Sequence, residues 1–177
     1  MSNPRIDGET RANSLDAASG LDKPTRRRFP VGSISKLFDP RSVAIIGATE
    51  RAGSVGRTLT ANLLARSFHG AVYPVNSKRS EVLGVKAYAR IEEVPECPDV
   101  AVIVTPAATV PRIVQQCADR GVRAAIVISA GFRELGPEGR QLEQDIFQIV
   151  QQSGIRVIGP NCLGVMNPIT GFNATFA

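Results

Sequence analysis

Residues 42–56 carry the one arrangement in this chain whose residue types and spacing could hold a phosphate. Gly47, Gly53 and Gly56 punctuate a polar loop between an apolar run at 43–46 and an apolar spacing at Val55, Leu59, Leu63 and Leu64. A β-branched run of that length suits a strand buried on both faces, and the later spacing suits a helix. Gly47 lets the chain leave the strand sharply, Gly53 lets backbone approach a ligand, and Gly56 lets the helix close on the sheet. Ser54 stands where an N-cap accepts from the first free N–H groups of the helix. Such a helix start favours an anion, foremost a phosphate. The spacing is not the G-x-G-x-x-G of dinucleotide enzymes, so these glycines alone fit a plain surface loop as well as a phosphate cradle.

A second cue follows at 76–79, where the chain reads Asn76-Ser77-Lys78-Arg79. Nicotinamide enzymes of the doubly wound class place an acid near this point to hold the ribose hydroxyls. A basic pair suits instead a phosphate on the ribose, either the 2′-phosphate of NADP or the 3′-phosphate of coenzyme A. Other reactive residues are sparse. Cys97, Cys117 and Cys162 form no C-x-x-C pair, and His69 is the sole histidine, which favours neither a disulfide framework nor a metal site. Cys162 has no histidine beside it in sequence and reads as a structural thiol.

These residues need a scaffold, and the pattern around them supplies one. Residues 35–40 suit a short helical turn laying Leu37 and Phe38 on a sheet, and a helix from Val55 to about Arg66 is expected to finish near His69 with Gly70 as its stop. Further strands are predicted at 71–76, 99–104, 124–128 and 155–158, with helices at 109–120 and 137–152. Residues 82–88 read as a short excursion and 91–95 as a helical turn. Strand and helix alternation predicts a doubly wound, mostly parallel, Rossmann-like α/β sheet. Gly47, Asn76, Thr105, Ser129 and Asn161 then all fall at the carboxyl ends of strands, where open α/β sheets bind ligands.

At 177 residues the chain suits one domain and a tail. Of the net charge of +5, residues 1–36 supply +3, from seven Lys/Arg against four acids. Residues 1–34 are poor in aromatic and β-branched residues and read as a disordered basic tail, leaving 35–177 as the domain. With so little excess charge on the domain, nucleic acid is a poor candidate partner. No run approaches the roughly 18 apolar residues of a membrane span, nor is there a secretory signal, and a cytoplasmic location is expected.

Several segments together resemble a known family: residues 37–48, 72–76, Val104-Thr105-Pro106, Ser129-Ala130-Gly131-Phe132, 159–164 and 172–177. Their ordered set is similar to the CoA-binding domain of ADP-forming acyl-CoA synthetases, relatives of the succinyl-CoA synthetase α subunit, from about residue 35 to the end. The resemblance implies that CoA is the ligand. It implies contacts from Gly47, Ala48, Gly53, Val55, Gly56, Asn76, Lys78, Val104, Thr105, Pro106, Ser129, Ala130, Gly131 and Asn161. In the family an acyl-CoA, phosphate and ADP are linked to a free acid, CoA and ATP through a phosphorylated histidine in the following domain, which His69 does not match. The chain is thus expected to be a fragment, a truncated protein or one module of a split ligase, whose partners would be the missing ligase domains or subunits. Around Ala130, where the succinate enzyme is expected to carry an acid, the turn resembles the acetate-type synthetases and their acetyltransferase-fused relatives. Two alternatives accompany the ligase reading: a CoA or acyl-CoA sensor of a protein acetyltransferase-type fusion, and an NADP-binding oxidoreductase domain.

Overall fold

The computed structural model describes residues 32–65 and 67–176. Among the described residues nine strands and four α-helices follow in order: α1 (Gly32–Phe38), β1 (Ser42–Ile46), α2 (Val55–Leu64), β2 (Ala71–Val75), β3 (Glu81–Val82), β4 (Val85–Lys86), β5 (Val100–Ile103), α3 (Val110–Arg120), β6 (Ala124–Val127), α4 (Pro137–Ser153), β7 (Arg156–Ile158), β8 (Gly164–Asn167) and β9 (Phe172–Thr175). Five of the strands form one parallel sheet in the order β2-β1-β5-β6-β7. The chain steps outward one way from β1 to β2, then returns across it to β5 and continues the other way. The reversal leaves a crevice above β1 and β5, the topological switch point at which doubly wound sheets take their ligands.

Alternate residues of the central strands feed two separate cores. Val43, Ile45, Val100, Val102 and Ile126 pack with Leu59 and Leu63 of α2 on one face. On the other, Ala44, Ala101, Ile103, Ala125 and Val127 pack with Val110, Ile113 and Val114 of α3 and Ile146 of α4. Both faces are therefore covered, which is why the strands read as unbroken apolar runs instead of alternating ones. The reading of a parallel α/β sheet holds.

Three local readings need correction. Helix α1 begins at Gly32, before the expected domain start at 35, and buries Leu37 while leaving Phe38 exposed. The expected tail falls otherwise on residues 1–31, outside the described residues. Helix α2 stops at Leu64 with Ala65 turning out of it, so neither Gly70 nor His69 ends a helix. Gly70 is required for another reason: a Cβ there would run into the Phe68 ring and lie 2.7 Å from the Arg41 carbonyl oxygen. The excursion at 82–88 is the small β3–β4 hairpin, whose return is tied to β2 by a bridge between Val75 and Tyr88.

The C-terminal hairpin β8–β9 was not foreseen in the sequence. It pairs from Gly164 with Thr175 to Asn167 with Phe172 and lies on α2. Phe172 meets Phe68 with ring centroids 5.6 Å apart, and Asn62 of α2 donates through Nδ2 to the Thr175 carbonyl at 2.8 Å. None of the helices among the described residues is long and apolar enough to cross a membrane.

Candidate functional site

The loop after β1 is shaped by two glycines acting on each other. Gly47 has φ of +98°, and a Cβ there would stand 3.0 Å from both Val104 Cγ2 and the Val104 carbonyl oxygen. A Cβ on Gly56 would stand 2.6 Å from the Gly47 carbonyl oxygen, so only glycine lets α2 sit this close to the end of β1. Ser54 caps α2 as its position suggested, its hydroxyl accepting from the Arg57 N–H at 3.3 Å. Gly53 turns the loop with φ of +71° in open space.

Asn76 joins this loop to the end of β2. Its Nδ2 donates to the Ala48 carbonyl at 2.8 Å, and its Oδ1 accepts from the Lys78 N–H at 2.8 Å, a turn that fixes where Lys78 leaves the backbone. The neighbouring cation is differently placed. Arg79 is bound to Glu50 at 2.7 Å, and the same carboxylate accepts from the Leu83 N–H at 3.0 Å. The basic pair at 78–79 is thus one available cation and one neutralised one.

Above β2, β1 and β5 lies a cleft of about 510 Å³. Ile46, Val75, Ile91 and Ile113 give it an apolar floor; Gly47, Asn76, Ser77, Lys78, Thr105 and Pro106 line it from the strand ends, and Arg90, Thr109, Arg112 and Gln116 complete the lining. Thr109 Oγ1 donates to the Pro106 carbonyl at 2.7 Å and lies 2.9 Å from Thr105 Oγ1, which fixes the turn into α3. The lining holds three cations, Lys78, Arg90 and Arg112, and no acid. An apolar floor under a cationic, acid-free rim suits a ligand with a flat apolar part and several negative charges.

Of the fourteen residues carried over by resemblance, Gly47, Asn76, Lys78, Thr105 and Pro106 meet in this cleft. Ala48, Gly56 and Val104 lie behind it and shape the loop, Ala48 and Gly56 being buried. Gly53 and Val55 are on the exposed turn into α2. Ser129, Ala130, Gly131 and Asn161 belong to the other half of the sheet edge. There the Ser129 hydroxyl is buried 3.4 Å from the Ile103 carbonyl, and the Asn161 N–H donates to the Ser129 carbonyl at 3.0 Å. Glu134 Oε1 accepts from the Gly131 N–H and from Asn161 Nδ2. The Gly131 N–H above all, with the N–H groups of Glu134 and Phe132, holds this exposed carboxyl below the usual range.

Sequence reasoning passed over Arg90, Arg112 and Gln116. The last two had a usable signal: Thr109, Arg112 and Gln116 are spaced three and four apart and share a helix face. His69 sits immediately before β2, at the amino edge of the sheet, so the length of β2, roughly 13 Å, separates it from the carboxyl edge. Cys162 is half-buried with its thiol 3.3 Å from the Val127 carbonyl oxygen, and burial pushes its pKa up, as suits a structural thiol and not a nucleophile.

Residues 41–168 match the model of a protein family described as the CoA binding domain. The chain belongs to that family. Over 144 residues it is 44% identical to acetate–CoA ligase [ADP-forming] I of Archaeoglobus fulgidus, covering 81% of this chain and 21% of that enzyme. It is 40% identical over 148 residues to the α subunit of acetate–CoA ligase [ADP-forming] I of Pyrococcus furiosus, covering 81% of this chain and 32% of the subunit. Among solved structures, the apo form of a dinucleotide-forming acetyl-coenzyme A synthetase 1 from Ca. Korarchaeum cryptofilum superposes with a TM-score of 0.76 at 36% identity, covering 81% of this chain and 31% of that one. The chain thus spans between about a fifth and a third of the length of these relatives. It is a CoA-binding domain similar to that of ADP-forming acetate–CoA ligases, and these relatives support neither the NADP reading nor the acetyltransferase-sensor reading.

Proposed function

We propose that the chain is the CoA-holding module of an ADP-forming acid–CoA ligase of the acetate type, and that CoA lies in the cleft above β2, β1 and β5 with Lys78 on its 3′-phosphate. The observation that carries this reading is the cleft lining itself, with three cations, no acid and an apolar floor at the switch point of the sheet. In this arrangement Gly47, Asn76, Thr105 and Pro106 bring backbone and small side chains against the nucleotide, while Ala48, Val104 and Gly56 keep the loop in shape. Gly53 and Val55 lie where the helix start meets solvent, and Ser129, Ala130, Gly131 and Asn161 border the path toward β7.

The phosphoryl chemistry belongs to the remaining ligase domains or subunits. Activating an acid with ATP needs a site that clamps Mg-nucleotide phosphates and a carrier nucleophile. The sole histidine of the chain stands on the amino edge of the sheet, away from the cleft. The module acts in the cytoplasm, where its free cysteines stay reduced. A ligand that binds the native state alone raises the melting temperature with its concentration. CoA is therefore expected to raise Tm of the purified chain more than NADPH does at equal concentration; a larger shift with NADPH would overturn the reading.

A further inference from the structure

Of the three cations in the cleft lining, two are free. Arg90 is bound to Glu93 at 3.1 Å, whereas Lys78 and Arg112 have no side-chain hydrogen-bond or ion-pair partner among the described residues. Lys78 enters from the loop after β2 and Arg112 from the first turn of α3. A cation in a first turn faces the positive end of the helix dipole and is disfavoured there. The first turn of α3 has no acidic residue to offset it. Arg112 nevertheless stands on the face that α3 turns to the cleft, between Thr109 and Gln116, in a lining with no carboxylate. A guanidinium held against a helix dipole and aimed into an acid-free cleft is placed for an anion from outside the chain.

We infer that Arg112 binds the 5′-diphosphate of the nucleotide, a contact separate from that of Lys78. The inference rests on the CoA reading above. In doubly wound sheets the residue after the second strand reads the ribose, and the diphosphate lies in the crevice at the switch point, beside the helix start that follows the glycine turn. Lys78 holds the first position; the glycine turn after β1 forms one side of the second, and the opening turn of α3, which follows the neighbouring switch-point strand β5, lines the same cleft through Arg112. The planar fork of arginine also matches adjacent phosphate oxygens, which the point charge of lysine does not.

The test titrates CoA and dephospho-CoA calorimetrically into the purified wild-type chain and into Arg112→Ala, Arg112→Lys and Lys78→Ala. Loss of one charge-assisted contact corresponds to about tenfold or more in affinity. Arg112→Ala is expected to lose that much for both ligands, Arg112→Lys to recover part of it, and Lys78→Ala to lose it for CoA alone. Arg112 is exposed, so its variants keep the fold, which equal unfolding midpoints without ligand will register. Unchanged affinity of Arg112→Ala for CoA overturns the inference, as does a loss with CoA that disappears with dephospho-CoA. A wild-type chain that binds neither ligand overturns the CoA reading itself, and the inference with it.

Discussion

The carboxyl edge of this sheet has two halves made of similar residues in different states. Over β6 and β7, the hydroxyl of Ser129, the N–H of Gly131 and the N–H and side chain of Asn161 are engaged by the chain itself, with Glu134 accepting from two of them. Over β2, β1 and β5, Lys78 and Arg112 have no side-chain partner among the described residues and stand around an open cleft. Both halves satisfy the rule that ligands gather at strand carboxyl ends. The difference lies in which polar and charged groups are left unspent, and that identifies a binding surface better than position along the edge.

The largest expected effect breaks the self-engaged half. Gly139 in α4 is buried, and a Cβ there would overlap the Phe132 carbonyl. Gly139→Ala has to push α4 away from the end of β6 and is expected to cost about 3 kcal/mol or more in denaturant unfolding. Gly53→Ala on the open half meets nothing within 4 Å and pays only for a left-handed backbone, about 1 kcal/mol. Equal losses in the two variants would mean that the halves are packed alike.

On the open half, Lys78→Ala is expected to weaken CoA by at least about tenfold while leaving dephospho-CoA nearly unaffected, measured by titration calorimetry. Arg79→Ala is its control. Since Arg79 is already bound to Glu50, its loss is expected to change CoA affinity less than about twofold, the surface pair itself being worth about 1 kcal/mol or less. If the two variants lose CoA affinity equally, the distinction between free and engaged cations fails.

The smallest effect concerns Glu134. Its carboxyl titrates lower in the folded chain than in the unfolded one, so its contribution to stability is present above the unfolded value of about 4.3 and is lost as pH falls through the folded value. Glu134→Gln is therefore expected to lower Tm slightly at neutral pH, with the gap from wild type closing as the solution is acidified below about pH 4. A gap that stays constant from pH 7 to pH 3 would show that the N–H groups of that turn do not discriminate between the ionised and neutral side chain.

Much of the frame was legible because it depends on local chemistry. The runs at 43–46 and 124–128 could be read as buried strands from their β-branched apolar residues alone, and Ser54 as a cap from its place before Val55. What escaped was set by tertiary contact. Nothing in Leu37-Phe38 says which of two adjacent apolar residues turns inward, and Gly70 looked like a helix stop although its role is to clear the Phe68 ring. Arg79 looked equivalent to Lys78 until Glu50, 29 residues earlier, was found bound to it. The β8–β9 hairpin escaped because its strands are short and mix buried Val165, Phe172 and Ala174 with exposed Met166, a pattern that only the face of α2 makes sense of.

That hairpin separates two meanings of the word domain. The match to the family model ends at residue 168, yet Phe172 and Ala174 are wholly buried beyond it, against the helix whose start forms the glycine loop. Burying a side chain the size of Phe172 contributes on the order of 1.5–3 kcal/mol, a large share of the net stability of a small domain. The cooperative folding unit is therefore longer than the span the family model matches. A cut at 168 would preserve every residue that lines the cleft while removing the strand that braces α2 from behind, so the integrity of the glycine loop depends on residues outside the cleft lining.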